Sequence, residues 1–158
     1  MQHPEEIRPS AVPWPALLFP AALAGALLLG WAYPLSWPGL DDTPARIIGY
    51  SFGLGGLLLV AWGFLTLQRA GTNVLPHRGA QHLVTAGPFR IWRNPIYMGE
   101  TLLFLGLAQA TANIWLAIAA PAFALGVLWL AILPEERHLE ARFGAAYLDY
   151  KGRTRRWF

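Results

Sequence analysis

Apolar residues gather in four stretches separated by polar joints. They run from about Trp14 to Tyr33, Ile47 to Leu67, Ile96 to Ala112 and Ile114 to Leu133. A membrane helix needs roughly 20 mostly apolar residues, with a range of about 17–25, so each stretch predicts a span, the third narrowly. Little more than Asn113 divides the third from the fourth, which leaves room only for a tight helical hairpin. A signal peptide is the alternative for the first stretch. Glu5 and Glu6 stand where such a peptide has basic residues, and the apolar part is too long, so a true span is expected. The pattern therefore predicts an all-α integral membrane protein with four transmembrane helices.

Two polar segments remain, Gln68–Pro95 and Pro134–Phe158. A loop as long as the first is usually functional or disordered. This one contains HLVTAGPFRIWRNPIY, with aromatics interleaved among arginines, which is not a disordered composition. In the tail, Leu139, Phe143, Tyr147 and Tyr150 recur at spacings of four, four and three. That is an amphipathic helix, expected along the membrane surface or folded back over the bundle.

Composition supports the membrane reading and narrows the function. Of 158 residues, 55% are hydrophobic and 13% charged, with mean hydropathy +0.37. An average soluble domain is roughly a quarter charged. The length allows about one domain. There is no cysteine, which excludes disulfides, thiolate metal sites, iron–sulfur clusters and a cysteine nucleophile. The net charge of +3 would suit nucleic acid, but the placement of the cations argues otherwise. With four spans, one side holds Arg8, Arg69, Arg78, Arg90, Arg93, Arg137, Arg142, Lys151, Arg153, Arg155 and Arg156, while the other holds Arg46 beside Asp41 and Asp42. The positive-inside rule then makes both termini cytoplasmic, in the inner membrane if the protein is bacterial. The cations read as topology and lipid-phosphate contacts, and no nucleic-acid partner is expected.

Two groups of residues carry candidate chemistry. Glu135 and Glu136 follow Pro134 at the cytoplasmic end of the fourth span. They suit the first turn of a helix starting there, yet two carboxylates beside hydrocarbon are costly, and a cationic ligand would offset that cost. In RNPIYMGE, Pro95 opens the third helix and places Tyr97, Glu100 and Phe104 near one face. Tyr97 suits an interfacial belt, whereas an ionisable Glu100 inside a span is a functional candidate. His77 and His82 have no neighbouring carboxylate in the sequence, so no metal site is expected. Gly49 and Gly53 with the GLGG run at Gly53–Gly56 form a small-residue face, for helix packing or for a homodimer through the second span.

The order HLVTAGPFRIWRNPIYMG, a helical hairpin, then PEERHLEARFGAAYLDYKGRTRRW resembles the small integral-membrane methyltransferases. These are isoprenylcysteine carboxyl methyltransferase and the phospholipid (phosphatidylethanolamine) N-methyltransferases. The likeness covers about Gln81 to Trp157, and its motifs are specific in combination rather than singly. It implies one membrane methyltransferase domain over residues 1–158, with S-adenosylmethionine held by the loop 77–97 and the tail 134–158, and the pocket open sideways to lipid. Carried over by position, Gln81, His82, Leu83, Val84, Phe89, Asn94, Pro95, Ile96, Tyr97, Glu135 and Glu136 would contact the cofactor. Phe89 takes a place that is often Tyr. The prenylcysteine branch has His where this chain has Asn94, and an Arg for the substrate carboxylate near the place of Ala131. Both departures favour an amine head group.

The resemblance thus implies methyl transfer to a membrane-embedded, lipid-like acceptor, with the amine of phosphatidylethanolamine or its methylated forms first and isoprenylcysteine carboxyl methylation second. Glu100 would be the base that takes the amine proton, beside Tyr97, while Arg90 and Arg93 would hold a lipid phosphate. An NADPH-dependent sterol-type reductase shares the C-terminal Tyr and Arg pattern, although such proteins are longer. A non-enzymatic membrane scaffold is the remaining alternative.

Overall fold

The computed structural model describes residues 13–72 and 82–158. Their regular structure is helical: α1 (Trp14–Ala32), α2 (Thr43–Arg69), α3 (Pro95–Thr111), α4 (Ile114–Val127), α5 (Leu133–Phe143) and α6 (Ala145–Arg153). A 3-10 turn, Gly87–Arg90, precedes α3, and a single bridge pairs Trp92 with Arg155.

The closest backbone approach is between α2 and α3, and glycine makes it possible. A Cβ on Gly56 would lie 2.6 Å from the Gly99 carbonyl oxygen, and one on Gly106 would collide with the backbone of Gly53. In a bilayer, helices associate chiefly through such close packing. The face with Gly49, Gly53 and Gly56 is therefore filled by α3 of the same chain. Of the two uses expected for this face, helix packing is the one seen within the chain.

Helix α4 packs on α3, and α1 packs on α4. Phe19, Phe104 and Phe123, from α1, α3 and α4, meet with ring centroids 5.2–5.8 Å apart. Tilted and edge-on contacts of this kind add about 0.5–1.5 kcal/mol beyond burial. The outward faces remain apolar, with Ile47, Leu54, Leu57, Leu58 and Trp62 of α2 all exposed.

Most boundaries follow local chemistry. Helix α2 begins at Thr43, earlier than the apolar run, because Asp42 accepts a hydrogen bond from the Ala45 N–H at 2.9 Å and caps it. Helix α3 opens at Pro95 as expected. After it, Ala112 turns left-handed at φ 48°, and Asn113 caps α4 through the Trp115 N–H. Two helices, Thr43–Arg69 and the continuous run Ile114–Phe143, are long and apolar enough to cross a membrane, whereas α1 and α3 have 19 and 17 residues.

Pro134 does not start a new helix. The chain passes through it in helical geometry, with Ile132 at φ −66°, ψ −50°. A π turn at Leu128–Ile132, closed by Leu133 N–H to the Leu128 carbonyl, leads into it. The wider turn accommodates the missing proline donor and ring. The expectation of a free helix start at Glu135–Glu136 is thus overturned, since no uncapped N–H groups stand there. The expected single tail helix is also divided: Gly144, at φ 52°, ends α5 and starts α6.

Gly106→Leu should destabilise the detergent-solubilised protein by at least about 1–3 kcal/mol, the usual cost of overpacking. Gly55→Ala, on the open side of α2, should be neutral or stabilising by about 0.5–1 kcal/mol. Thermal unfolding of the two variants against the parent measures both.

Candidate functional site

The site is assembled where the last residues of the chain return to the turn before α3. The Tyr150 hydroxyl donates to the Phe89 carbonyl at 2.8 Å. The Arg93 N–H donates to the Arg155 carbonyl at 2.7 Å, and the Arg155 N–H to the Ile91 carbonyl at 2.9 Å. The Asn94 amide donates to the Arg156 carbonyl at 3.3 Å. These bonds satisfy the polar backbone of both irregular segments at once.

One carboxylate holds the two walls together. Glu136, its side chain 8% exposed, accepts from Arg93 Nε at 3.3 Å and from Arg156 Nε and Nη2 at 2.9 and 2.7 Å. Arg93 Nη1 donates further to the carbonyls of Lys151 and Thr154. Bidentate, charge-assisted bonds of this kind are among the stronger ones in proteins. The Glu136 carboxylate beside Arg156 pushes the guanidinium pKa above its usual value. Burial raises the Tyr147 hydroxyl well above its usual range and pushes Tyr150 up to about 12.

Two cavities flank this junction. The helix-side cavity, about 240 Å³, is walled by Ala16 of α1, by Val60, Phe64 and Leu67 of α2, and by Ile96, Tyr97 and Glu100 of α3. The tail-side cavity, about 100 Å³, is walled by Thr72, His82, Leu83, Val84, Ile132, Glu136, Leu139, Tyr147 and Tyr150. Leu67, Phe89, Arg93, Asn94 and Glu135 line both. No ion pair among the described residues includes Glu135 or Glu100, and one carboxylate oxygen of Glu100 is buried without a partner. Buried carboxylates without partners are costly, so the two cavities together are suited to a cationic or donor-rich ligand.

Over residues 44–146 the sequence matches the phospholipid methyltransferase family. The chain belongs to that family. Among its relatives are human phosphatidylethanolamine N-methyltransferase, 39% identical over 50% of this chain and 42% of the relative, and protein-S-isoprenylcysteine O-methyltransferase B of Arabidopsis thaliana, 32% identical over 63% and 51%. The nickel-cobalt-cadmium resistance protein NccN of Alcaligenes xylosoxydans xylosoxydans is 38% identical over 75% of this chain and 53% of its own. The chain thus spans about half the length of the curated relatives it matches. No solved structure matches it.

Within this family framework, the structure gathers most of the residues singled out from sequence. His82, Leu83, Val84 and Glu136 line the tail-side cavity; Pro95, Ile96, Tyr97 and Glu100 line the helix-side one; Phe89, Asn94 and Glu135 line both. Gln81 lies outside the described residues. Arg90 is exposed and borders neither cavity. Arg93, expected at a lipid phosphate, has its Nε on Glu136 and its Nη1 on the Lys151 and Thr154 carbonyls, so most of its guanidinium is engaged in the tail junction. Trp92 pairs with Arg155 through the backbone and lines neither cavity. Among the described residues, no three His, Asp or Glu side chains come together as a metal group.

Sequence reasoning did not place Tyr147, Tyr150, Arg156 or the α2 residues at the site. The tyrosines were marked by their own helical spacing, and Val60, Phe64 and Leu67 form an equivalent stripe. Nothing in the run RTRRW distinguishes Arg156 from its neighbours.

Tyr150→Phe should cost about 1–3 kcal/mol, because it leaves the Phe89 carbonyl unpaired. The sign of the pH effect follows from the raised pKa. The folded state holds the Tyr150 proton up to about pH 12, the unfolded chain only to about 10. This contribution to stability is full below about pH 10 and is lost as pH rises towards 12. Denaturant unfolding across pH 9–12 should show that alkaline loss in the parent and a shallower one in Tyr150→Phe.

Proposed function

We propose that the protein is a four-span membrane methyltransferase, with both termini cytoplasmic, that uses S-adenosylmethionine to methylate an amine-bearing lipid such as phosphatidylethanolamine or its methylated forms. The observation that carries this reading is Glu135: a carboxylate without a described ion-pair partner, on the wall common to a loop-and-tail cavity and an apolar, helix-lined one.

The residues fit such a cofactor. S-adenosylmethionine carries an ammonium and a sulfonium, and supplies an electrophilic methyl group when bound. Glu135 would accept from the ammonium, in a partly desolvated site where charge-assisted bonds are strong. Phe89 lines the same wall, where an aromatic ring would favour a nearby cation. His82, Leu83 and Val84 form the opposite, loop side of the tail-side cavity, and Asn94 and Pro95 fix the corner where the two cavities meet. Positioning of this kind supplies much of the rate of a bimolecular displacement.

The acceptor occupies the helix-side cavity. Val60, Phe64 and Ile96 pack against its apolar part, and Tyr97 and Glu100 face its head group. An amine must lose a proton before or as it attacks, and Glu100 accepts it. A carboxylate acceptor would meet Glu100 and Glu135 with no free arginine to compensate, and Ala131 supplies none. This favours nitrogen over the carboxyl group of isoprenylcysteine.

Calorimetry of the purified protein with S-adenosylhomocysteine and with NADPH tests the class. Binding of the first alone is expected; binding of NADPH alone would indicate a reductase, and binding of neither a scaffold. Glu135→Gln should raise the dissociation constant for S-adenosylhomocysteine about 10–100-fold, equivalent to about 1.4–2.7 kcal/mol. Glu100→Gln should leave that constant unchanged and lower kcat about 10²–10⁴-fold. Mass spectrometry of lipids from expressing cells fed isotopically labelled methionine identifies the acceptor.

A further inference from the structure

The adjacent carboxylates Glu135 and Glu136 differ in their surroundings. Glu136 is shared by Arg93 and Arg156, whose side chains are 10% and 36% exposed. Glu135 has neither as a partner, although Arg93 lines both of its cavities. Two arginines therefore converge on one carboxylate, while the preceding one, Glu135, has no ion-pair partner among the described residues. An arginine as buried as Arg93 is costly without a counter-ion. Were Glu136 neutral, the carboxylate left lining the tail-side cavity beside Arg93 would be Glu135.

We infer that Glu136 is a positioning residue: it holds Arg93 and Arg156 in the closed tail and thereby keeps Glu135 free to receive a cationic ligand. The geometry shows how one side chain does both. Arg93 stands between Ile91 and Asn94, in the stretch that pairs with Arg155 and Arg156, and its guanidinium also binds the carbonyls at the end of α6. Arg156 reaches back from the final residues to the same carboxylate. Loss of the charge on Glu136 loosens the tail and releases two cations beside Glu135. Ligand binding then falls although Glu136 makes no contact with the ligand. The ligand half of this inference rests on the proposed cofactor reading, whereas the tail half does not.

Two measurements on the full chain in detergent separate them. Hydrogen exchange reads the tail without any ligand. In Glu136→Gln, protection of the Arg93 and Arg155 amides should fall at least tenfold while α2 and α3 amides keep theirs, which verifies the fold. Arg156→Gln, at the more exposed partner, should give a smaller loss at the same two amides. Unchanged protection in Glu136→Gln would overturn the inference. The second measurement is S-adenosylhomocysteine affinity. Glu136→Gln should weaken it at least tenfold, and adding Arg156→Gln should recover part of the loss, because one released cation is removed. A double variant as weak as Glu136→Gln, or weaker, would mean that Glu136 touches the ligand itself and would overturn the positioning role. If the parent protein fails to bind S-adenosylhomocysteine, the cofactor reading falls, and hydrogen exchange still decides whether Glu136 holds the tail.

Discussion

The junction between the helical body and the C-terminal tail depends on a buried carboxylate shared by two arginines. Glu136 lies on the helix that continues from α4, Arg93 on the turn leading into α3, and Arg156 near the end of the chain. Three segments distant in sequence meet at one charge. Each would be costly to bury alone, so their geometries are mutually dependent. Around that point the backbone bonds of Ile91, Arg93, Arg155 and Arg156 fall into place, and both cavities take their common wall.

A second constraint acts between α2 and α3. The Gly53–Gly106 and Gly56–Gly99 contacts hold α2 against α3 at backbone distance. Because Val60, Phe64 and Leu67 continue along α2 toward its C-terminal end, this close approach brings them to Tyr97 and Glu100. Packing in the apolar layer thus determines how wide the helix-side cavity is, and the ion cluster determines where it meets the tail. The combination explains how so few polar residues suffice to build a site at the edge of a hydrophobic bundle.

Much of this was legible in the sequence, and the rest was not for physical reasons. The helical class, the Asn113 hairpin and the Pro95 start follow from hydropathy and local turn chemistry, which are properties of short segments. The loop motif and the acidic pair pointed to the site through a family likeness, and both border its cavities. Pro134 misled, because a proline stops a helix only when the neighbouring turn cannot widen, and Leu128–Ile132 does widen. Arg93 and Glu136 read as ligand contacts because their sequence positions say nothing of each other. Their pairing depends on the tail folding back, a long-range event without local periodicity.

The π turn at Leu128–Ile132 has a consequence for the direction in which the acidic pair points. An extra residue in one turn rotates everything beyond it by about 100° around the helix axis. A regular α-helix through the same stretch would present a different edge of α5 to the tail, with Glu135 and Glu136 both out of phase with their present neighbours. The widened turn is thus a phase correction in the long helix: it lets α4 keep its apolar register with α1 and α3 while α5 follows a second register, set by the arginines.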